Sequence, residues 1–265
     1  MTILDTIIAH KKTEVAEAKA QVSIAQLQQV DLFNRPVFSL QQFLLDPAKT
    51  GIIAEFKRQS PSKGIINATA AVREVTAAYT LHGASCLSVL TDRHFFGGSA
   101  GDLQQARFND IPILRKDFII DEYQLYEARA MGADVILLIA ACLSPQRVKE
   151  LAKLARGLQL EVLLEIHNET ELDHICDETL LVGINNRDLK TFTVDINRSI
   201  ALGGSIGADK IKIAESGIHD VETIITFRNA GFHGFLIGEN FMKQPDPTIA
   251  FAGFVEQLKQ ASNES

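Results

Sequence analysis

The chain is 265 residues long, 46% hydrophobic and 22% charged, the balance of a globular enzyme rather than of a disordered or fibrous chain. A formal net charge of −7 leaves no basic surplus to neutralise phosphates, so neither nucleic acid nor an anionic membrane is an expected partner. Cys86, Cys142 and Cys176 show no CxxC spacing and read as thiols of a reducing, cytoplasmic compartment, and no apolar run is long enough to span a bilayer.

The first 20 residues read as a helix, with Ile3, Leu4, Ile7 and Ile8 on one stripe and lysines and glutamates elsewhere. Mixed charge on the polar face predicts docking on the protein's own body rather than on lipid, and Asp5 within a stretch lacking a long apolar run argues against a signal peptide. Residues 1–50, interrupted at Arg35-Pro36, are expected as a helical extension. From Gly51 onward a β-branched run, a polar loop and a helical stretch alternate. The predicted strands are IIAEFK from Ile52, SCLSVLT from Ser85, IPILRK from Ile111 and DVILLIA from Asp134, then LEVLLEI from Leu160, LLVGIN from Leu180, KIKIAE from Lys210 and HGFLIG from His233. Three of the intervening helices end at Gly83, Gly132 and Gly231, where the chain needs left-handed backbone before the next strand.

Eight strand–helix units without a change of composition predict an α/β fold, a (β/α)₈ TIM barrel forming one domain over residues 1–265. An open doubly wound sheet would carry GxGxxG after its first strand, where this chain reads KRQSPSKG.

Side chains alternate along a strand, so Ile53, Glu55 and Lys57 share the inward face of the first one. Lys116, Glu165 and Glu215 end the third, fifth and seventh strands in the same phase. Alternate strands of such a barrel feed one interior layer, and its C-terminal face is where chemistry is done. Buried unpaired charge is costly, so a cluster of lysines and glutamates there is either a neutralising network or a catalytic one, and its location favours catalysis. Asn185, Asn186 and Arg187 add donors at the rim of the sixth strand. Ser216-Gly217 and Gly238, in the loops after strands seven and eight, suggest a phosphate site built from backbone N–H groups.

The segments IAEFKRQSPSKG, LTDRHFFGGS, ILRKDFI, LLEIHNE, GINNRDL, AESGI and FLIGENFM resemble those of the indole-3-glycerol phosphate synthase family, over about residues 3–260. The resemblance implies a carboxy-lyase of tryptophan biosynthesis that needs no cofactor or metal. Its phosphorylated substrate, 1-(2-carboxyphenylamino)-1-deoxyribulose 5-phosphate, loses carbon dioxide and water as the indole ring closes. By the same resemblance Lys116 is the general acid on the ribulose carbonyl and Glu165 the essential carboxylate. Lys57 pairs with the anionic substrate and serves the dehydration, while Glu55, Asn185 and Glu215 position hydroxyls and the anilino group. Ser60, Phe118, Arg187, Leu189 and Ser216 are implied as substrate-binding, and Gly217, Gly238 and Glu239 as phosphate-binding. Some members carry Ser where this chain has Glu239; a carboxylate cannot donate, which leaves the backbone N–H there as the expected phosphate ligand.

Two other readings fit the same outline. A phosphoribosylanthranilate isomerase-like barrel would want a Cys/Asp or paired-Asp couple at strand ends one and six, where Glu55 and Asn185 stand. A catalytically silent barrel, serving as a binding subunit, would not keep charges in its interior. His94 and His167 are read as loop residues, and the N-terminal helix, with the Arg93–Gly98 loop, is expected across the C-terminal mouth. A monomer or weak homo-oligomer is expected.

Overall fold

The computed structural model describes residues 2–188 and 193–263. Eight parallel strands close into a barrel in chain order: β1 Ile52–Phe56, β2 Cys86–Leu90, β3 Ile113–Lys116, β4 Val135–Ile139, β5 Glu161–Ile166, β6 Leu181–Asn185, β7 Ile211–Glu215 and β8 Phe232–Ile237. β8 returns to β1 through Ile52↔Phe235 and Ala54↔Ile237. Each predicted strand is present, with helices such as Val72–Leu81, Tyr123–Met131 and Val221–Asn229 between them. Gly83, Gly132 and Gly231 hold φ of +96°, +91° and +79°, the left-handed turns expected at those helix ends.

The period of two divides the core into two shells. Outward residues Ile52, Ala54 and Phe56 meet the helices, whereas Ile53, Leu114, Leu137, Leu163, Ile213 and Leu236 fill the barrel. Each fully buried Leu or Ile contributes about 1.5–3 kcal/mol. The N-terminal end of the barrel is plugged by the helix Leu40–Leu45, whose Leu40 and Leu44 join the interior cluster. Ser39 Oγ and the Gln41 N–H donate to the Glu161 carboxylate at 2.5 and 3.1 Å, fixing that plug to the start of β5. Only the C-terminal end is left for a ligand. Among the described residues no helix is long and apolar enough to cross a membrane.

The N-terminal helix runs Ile3–Gln21, closed at its start by a capping box in which Thr2 N–H donates to Asp5 and Asp5 N–H to Thr2 Oγ1. Its buried face differs from the predicted stripe. Ile7, Lys11 and Val15 are buried, while Ile3 is 43% exposed. Lys11 is the surprise, since composition alone puts a lysine on the wet side. Its ammonium lies 2.9 Å from each of Glu14, Asp92 and Asp117, the last two from the ends of β2 and β3. Burial works against that charge, but Asp117 and Asp92 outweigh it and hold the amine above the ordinary lysine range.

Lys11→Met should destabilise the fold by about 3–5 kcal/mol, because it strands buried carboxylates instead of removing a whole ion cluster. Urea denaturation with unchanged slope checks this. A loss below about 1 kcal/mol, the worth of an exposed pair, would make the cluster incidental.

Candidate active site

At the C-terminal end the barrel interior turns from apolar to charged. The inward residue after Ile53 in β1 is Glu55, and after Leu114 in β3 it is Lys116. Glu165 follows Leu163 in β5, and Glu215 follows Ile213 in β7. The even strands make room for this layer. A Cβ on Gly183 of β6 would stand 2.0 Å from Glu215 Oε1, and one on Gly238, just past β8, 2.6 Å from Glu55 Oε1 and 2.8 Å from its Cβ. Gly183 has no role in the sequence reading, because its approach to Glu215 follows from a register that pairs Asn185 with Glu215 and Gly183 with Ile213.

The charges interlock. Lys57 Nζ lies 2.7 Å from Glu55 Oε1, and Lys116 Nζ 3.7 Å from Glu165 Oε2. Asn185 Nδ2 donates to Glu165 Oε1 at 3.1 Å. Burial opposes charge on Glu55, Lys116, Glu165 and Glu215. At Lys116 it is overcome by Glu165, Glu55 and Glu215, which keep the ammonium above the usual lysine range. At Glu165 it is overcome by Lys116 and His167, which hold the carboxyl well below the usual carboxylate range, and at Glu55 by Lys57 and Lys116. Glu215 goes the other way: burial and the neighbouring charge of Glu165 push it up to about 8. Both causes favour its neutral form, and its Oε1 meets no hydrogen-bond partner among the described residues. One layer thus presents a cation, two carboxylates and a neutral acid to the same space.

That space is a cavity of about 240 Å³. Glu55, Lys57, Ser60, Lys116, Phe118, Glu165, Asn185, Arg187, Glu215, Ser216, Gly217, Gly238 and Glu239 all line it, so the structure brings the sequence-predicted set together; Leu189 lies outside the described residues. Its apolar side is built by Ile3, Leu4 and Ile7 of the N-terminal helix with Leu90, Phe96 and Phe118. The helix therefore lies across the mouth, and its His10 ring stacks on His94 at 4.6 Å and meets the Phe95 edge at 5.6 Å in the loop after β2. Ser60 Oγ is buried without a partner among the described residues.

At the opposite end, Ser216 and Gly217 hold φ of +68° and +70°. For Ser216 this left-handed backbone costs about 1–2 kcal/mol. Asn186 steadies the bend, its Nδ2 donating to Ser216 O at 2.7 Å and its backbone N–H to Glu215 O at 2.8 Å. A Cβ at Gly217 would come 2.4 Å from Val194 Cγ1. A bulky residue there meets Val194, in the loop after β6. Arg187 Nη2 and Lys63 Nζ stand 3.9 and 3.8 Å from the Glu239 carboxylate, which places two cations beside these loops.

Two buried charged groups also escaped the sequence reading. Lys11 gave no signal beyond its helical phase. His167 did give one: it follows Glu165 by two residues, in the same inward phase. Read as a loop residue, it is 7% exposed, with Nε2 3.1 Å from Glu165 Oε1.

The family model described as indole-3-glycerol phosphate synthase matches residues 4–254. The indole-3-glycerol phosphate synthase of Bacteroides thetaiotaomicron is 48% identical over 258 residues, covering 97% of this chain and 99% of that protein. That of Polaromonas sp. strain JS666 is 44% identical, covering 94% of this chain and 97% of its own. Among solved structures, tryptophan synthase subunit alpha from Legionella pneumophila superposes with a TM-score of 0.62 at 13% identity, over 85% of this chain and 97% of that one. A 3-hexulose-6-phosphate synthase does so with a TM-score of 0.61 at 15% identity, over 79% and 98%. The last two share the barrel fold, while the sequence relatives go further, and the chain belongs to the indole-3-glycerol phosphate synthase family.

Proposed function

We propose that this protein closes 1-(2-carboxyphenylamino)-1-deoxyribulose 5-phosphate to indole-3-glycerol phosphate, with release of carbon dioxide and water. The observation that carries the reading is the single charged layer, Glu55, Lys116, Glu165 and Glu215 with Lys57 beside it, at the mouth of a barrel of this family. The barrel and its extension over residues 1–50 work as one domain, a cytoplasmic monomer or weak homo-oligomer, since one chain supplies the cavity walls named above.

The phosphate sits at the Ser216-Gly217 and Gly238-Glu239 loops, where backbone N–H groups and the cations Arg187 and Lys63 attract it. The anthranilate ring lies at the apolar end, between Phe118 and the Ile3–Ile7 turn, with Ser60 completing the substrate contacts. Held so, the carboxylate-bearing ring carbon faces the ketone, which removes most of the entropic barrier to attack. As the carbon–carbon bond forms, the ketone oxygen becomes an alkoxide, a stronger base than the lysine amine, and Lys116 gives it a proton. The cationic iminium left in the ring accepts the electron pair of the departing carboxylate, which leaves as carbon dioxide. The hydroxyl then departs as water with a proton from Lys57, and Glu165 takes the proton whose loss makes the indole aromatic. Glu55, Asn185 and Glu215 hold the sugar hydroxyls and the anilino nitrogen.

The chain contains no Trp, so indole emission from the product rises without a tryptophan background. Micromolar enzyme with authentic substrate should produce that signal with or without EDTA. A flat trace under both conditions would refute the assignment.

A further inference from the structure

β5 carries Glu165 into the cavity, and His167 stands next in the same inward phase. Its Nε2 lies 3.1 Å from Glu165 Oε1, an ion-pair contact that is not aligned as a hydrogen bond. On its other side Nδ1 lies 3.3 Å from Glu171 Oε2, and that same oxygen accepts the backbone N–H of His167 at 2.6 Å. Glu171 belongs to a short 3₁₀ helix, Glu169–His174, capped by the Asn168 side chain. The far end of that helix is tied down by His174, whose ring nitrogens face Glu171 O at 3.1 Å and Leu143 O at 2.9 Å. Glu165 meanwhile has Asn185 on the oxygen that faces His167 and Lys116 on the other.

Charge therefore alternates along one line from cavity to rim: Lys116, Glu165, His167, Glu171. The groups facing the imidazole are Glu165 of β5 and Glu171 of the 3₁₀ helix; Lys116 and Glu215 interact with Glu165 from the cavity side, and the Cys142 thiol, after β4, feels both carboxylates. Burial disfavours the charged ring, but the two carboxylates outweigh it and raise His167 to about 10, so it is a cation through the neutral range.

Glu165 shares its layer with two other acids. Lys57 lies 2.7 Å from Glu55, which leaves Lys116, 3.7 Å from Glu165, between Glu165 and Glu215. His167 is a second cation, closer to Glu165 than Lys116 is, and it lies on the outer edge of that carboxylate.

We propose that His167 is a positioning residue, an imidazolium oriented by Glu171 that fixes the Glu165 carboxylate with one edge on Asn185 and the other toward Lys116 and the substrate. This deepens the ring-closure reading and rests on it.

Three measurements test it. His167→Gln keeps an N–H donor without the charge; kcat should fall by up to about 10²-fold with KM little changed. The acid limb of its pH–rate profile should move to higher pH, because Glu165 then ionises less readily. Glu171→Gln, at the rim, should cut kcat in the same direction and make the loss steepen with rising pH as His167 gives up its proton early. Ring-labelled NMR of the whole protein should show His167 protonated at pH 8 in the wild type and titrating at lower pH in Glu171→Gln. A His167→Gln enzyme with wild-type kcat and acid limb, or a neutral His167 ring at pH 8, overturns the proposal. If His167→Gln does not fold, Glu171→Gln and the NMR titration decide. If the wild type forms no indole-3-glycerol phosphate, the function fails, while the NMR arm still upholds or overturns the charged, Glu171-oriented imidazole.

Discussion

Lys116→Met lowers kcat by about 10²–10⁴-fold, the worth of a positioned general acid, and leaves the barrel folded. Methionine matches the length of the lysine stem and fills the same space against the apolar interior. What goes is the one cation that Glu165, Glu55 and Glu215 share at the centre of the layer. Two losses then coincide. The developing alkoxide finds no proton donor, and the carboxylates, no longer neutralised, rise toward their protonated forms. Glu165 keeps His167 and Asn185 as partners, so the fold does not lose its only counter-charge. Steady-state turnover beside far-UV circular dichroism checks both halves. A folded variant with more than about a third of wild-type kcat would remove Lys116 from the general-acid role.

Gly183→Ala should cost about 10²-fold in kcat with little change in stability, whereas Gly238→Ala should cost both activity and about 1–3 kcal/mol. The difference lies in what each new methyl meets. At Gly183 it stands 2.0 Å from Glu215 Oε1, the free end of a side chain that swings aside and takes the neutral acid out of register with the substrate. At Gly238 it stands 2.8 Å from the Glu55 Cβ, which the strand holds in place, so the backbone itself must yield. Urea titrations and turnover numbers on the two variants separate the cases. A Gly183→Ala enzyme with wild-type turnover would mean that the position of Glu215 does not matter to the reaction.

The barrel was legible because its signals are local and repeated. Each strand is a short apolar run, each helix end of the Gly83 type asks for left-handed backbone, and the period of two puts Glu55, Lys116, Glu165 and Glu215 inside without reference to any contact. The features that stayed hidden depend on pairs far apart in the chain. Gly183 matters through Glu215, and Lys11 through Asp92 and Asp117, and no periodicity links residues across such separations. Lys11 even contradicts the local rule, since a lysine reads as wet although it shares its helix face with Ile7 and Val15. The opposite protonation of Glu165 and Glu215, chemically the same residue, is likewise set by which neighbour each faces. His167 lay between these extremes: its phase pointed inward, but its partner Glu171 sits beyond the strand, in a turn with no period to follow.

Lys11 pins the N-terminal helix to the barrel in its third turn, and this sets how molecules pass the mouth. Beyond that pin, toward Val22, the helix is held again by Tyr123, whose hydroxyl donates to Ala18 O and Val22 O, and by Lys19 on Asp121. Ahead of it lie two turns seated on the cavity by Leu4 and Ile7. Lifting that short arm wets two aliphatic side chains, at about 1.5–3 kcal/mol each when fully exposed. Pulling the whole helix away would also strip Lys11 from its carboxylates, at about 3–5 kcal/mol more. An opening confined to the turns ahead of Lys11 would therefore cost less than one that lifts the whole helix, and it would leave Lys11 on Asp117, beside the strand end that carries Lys116.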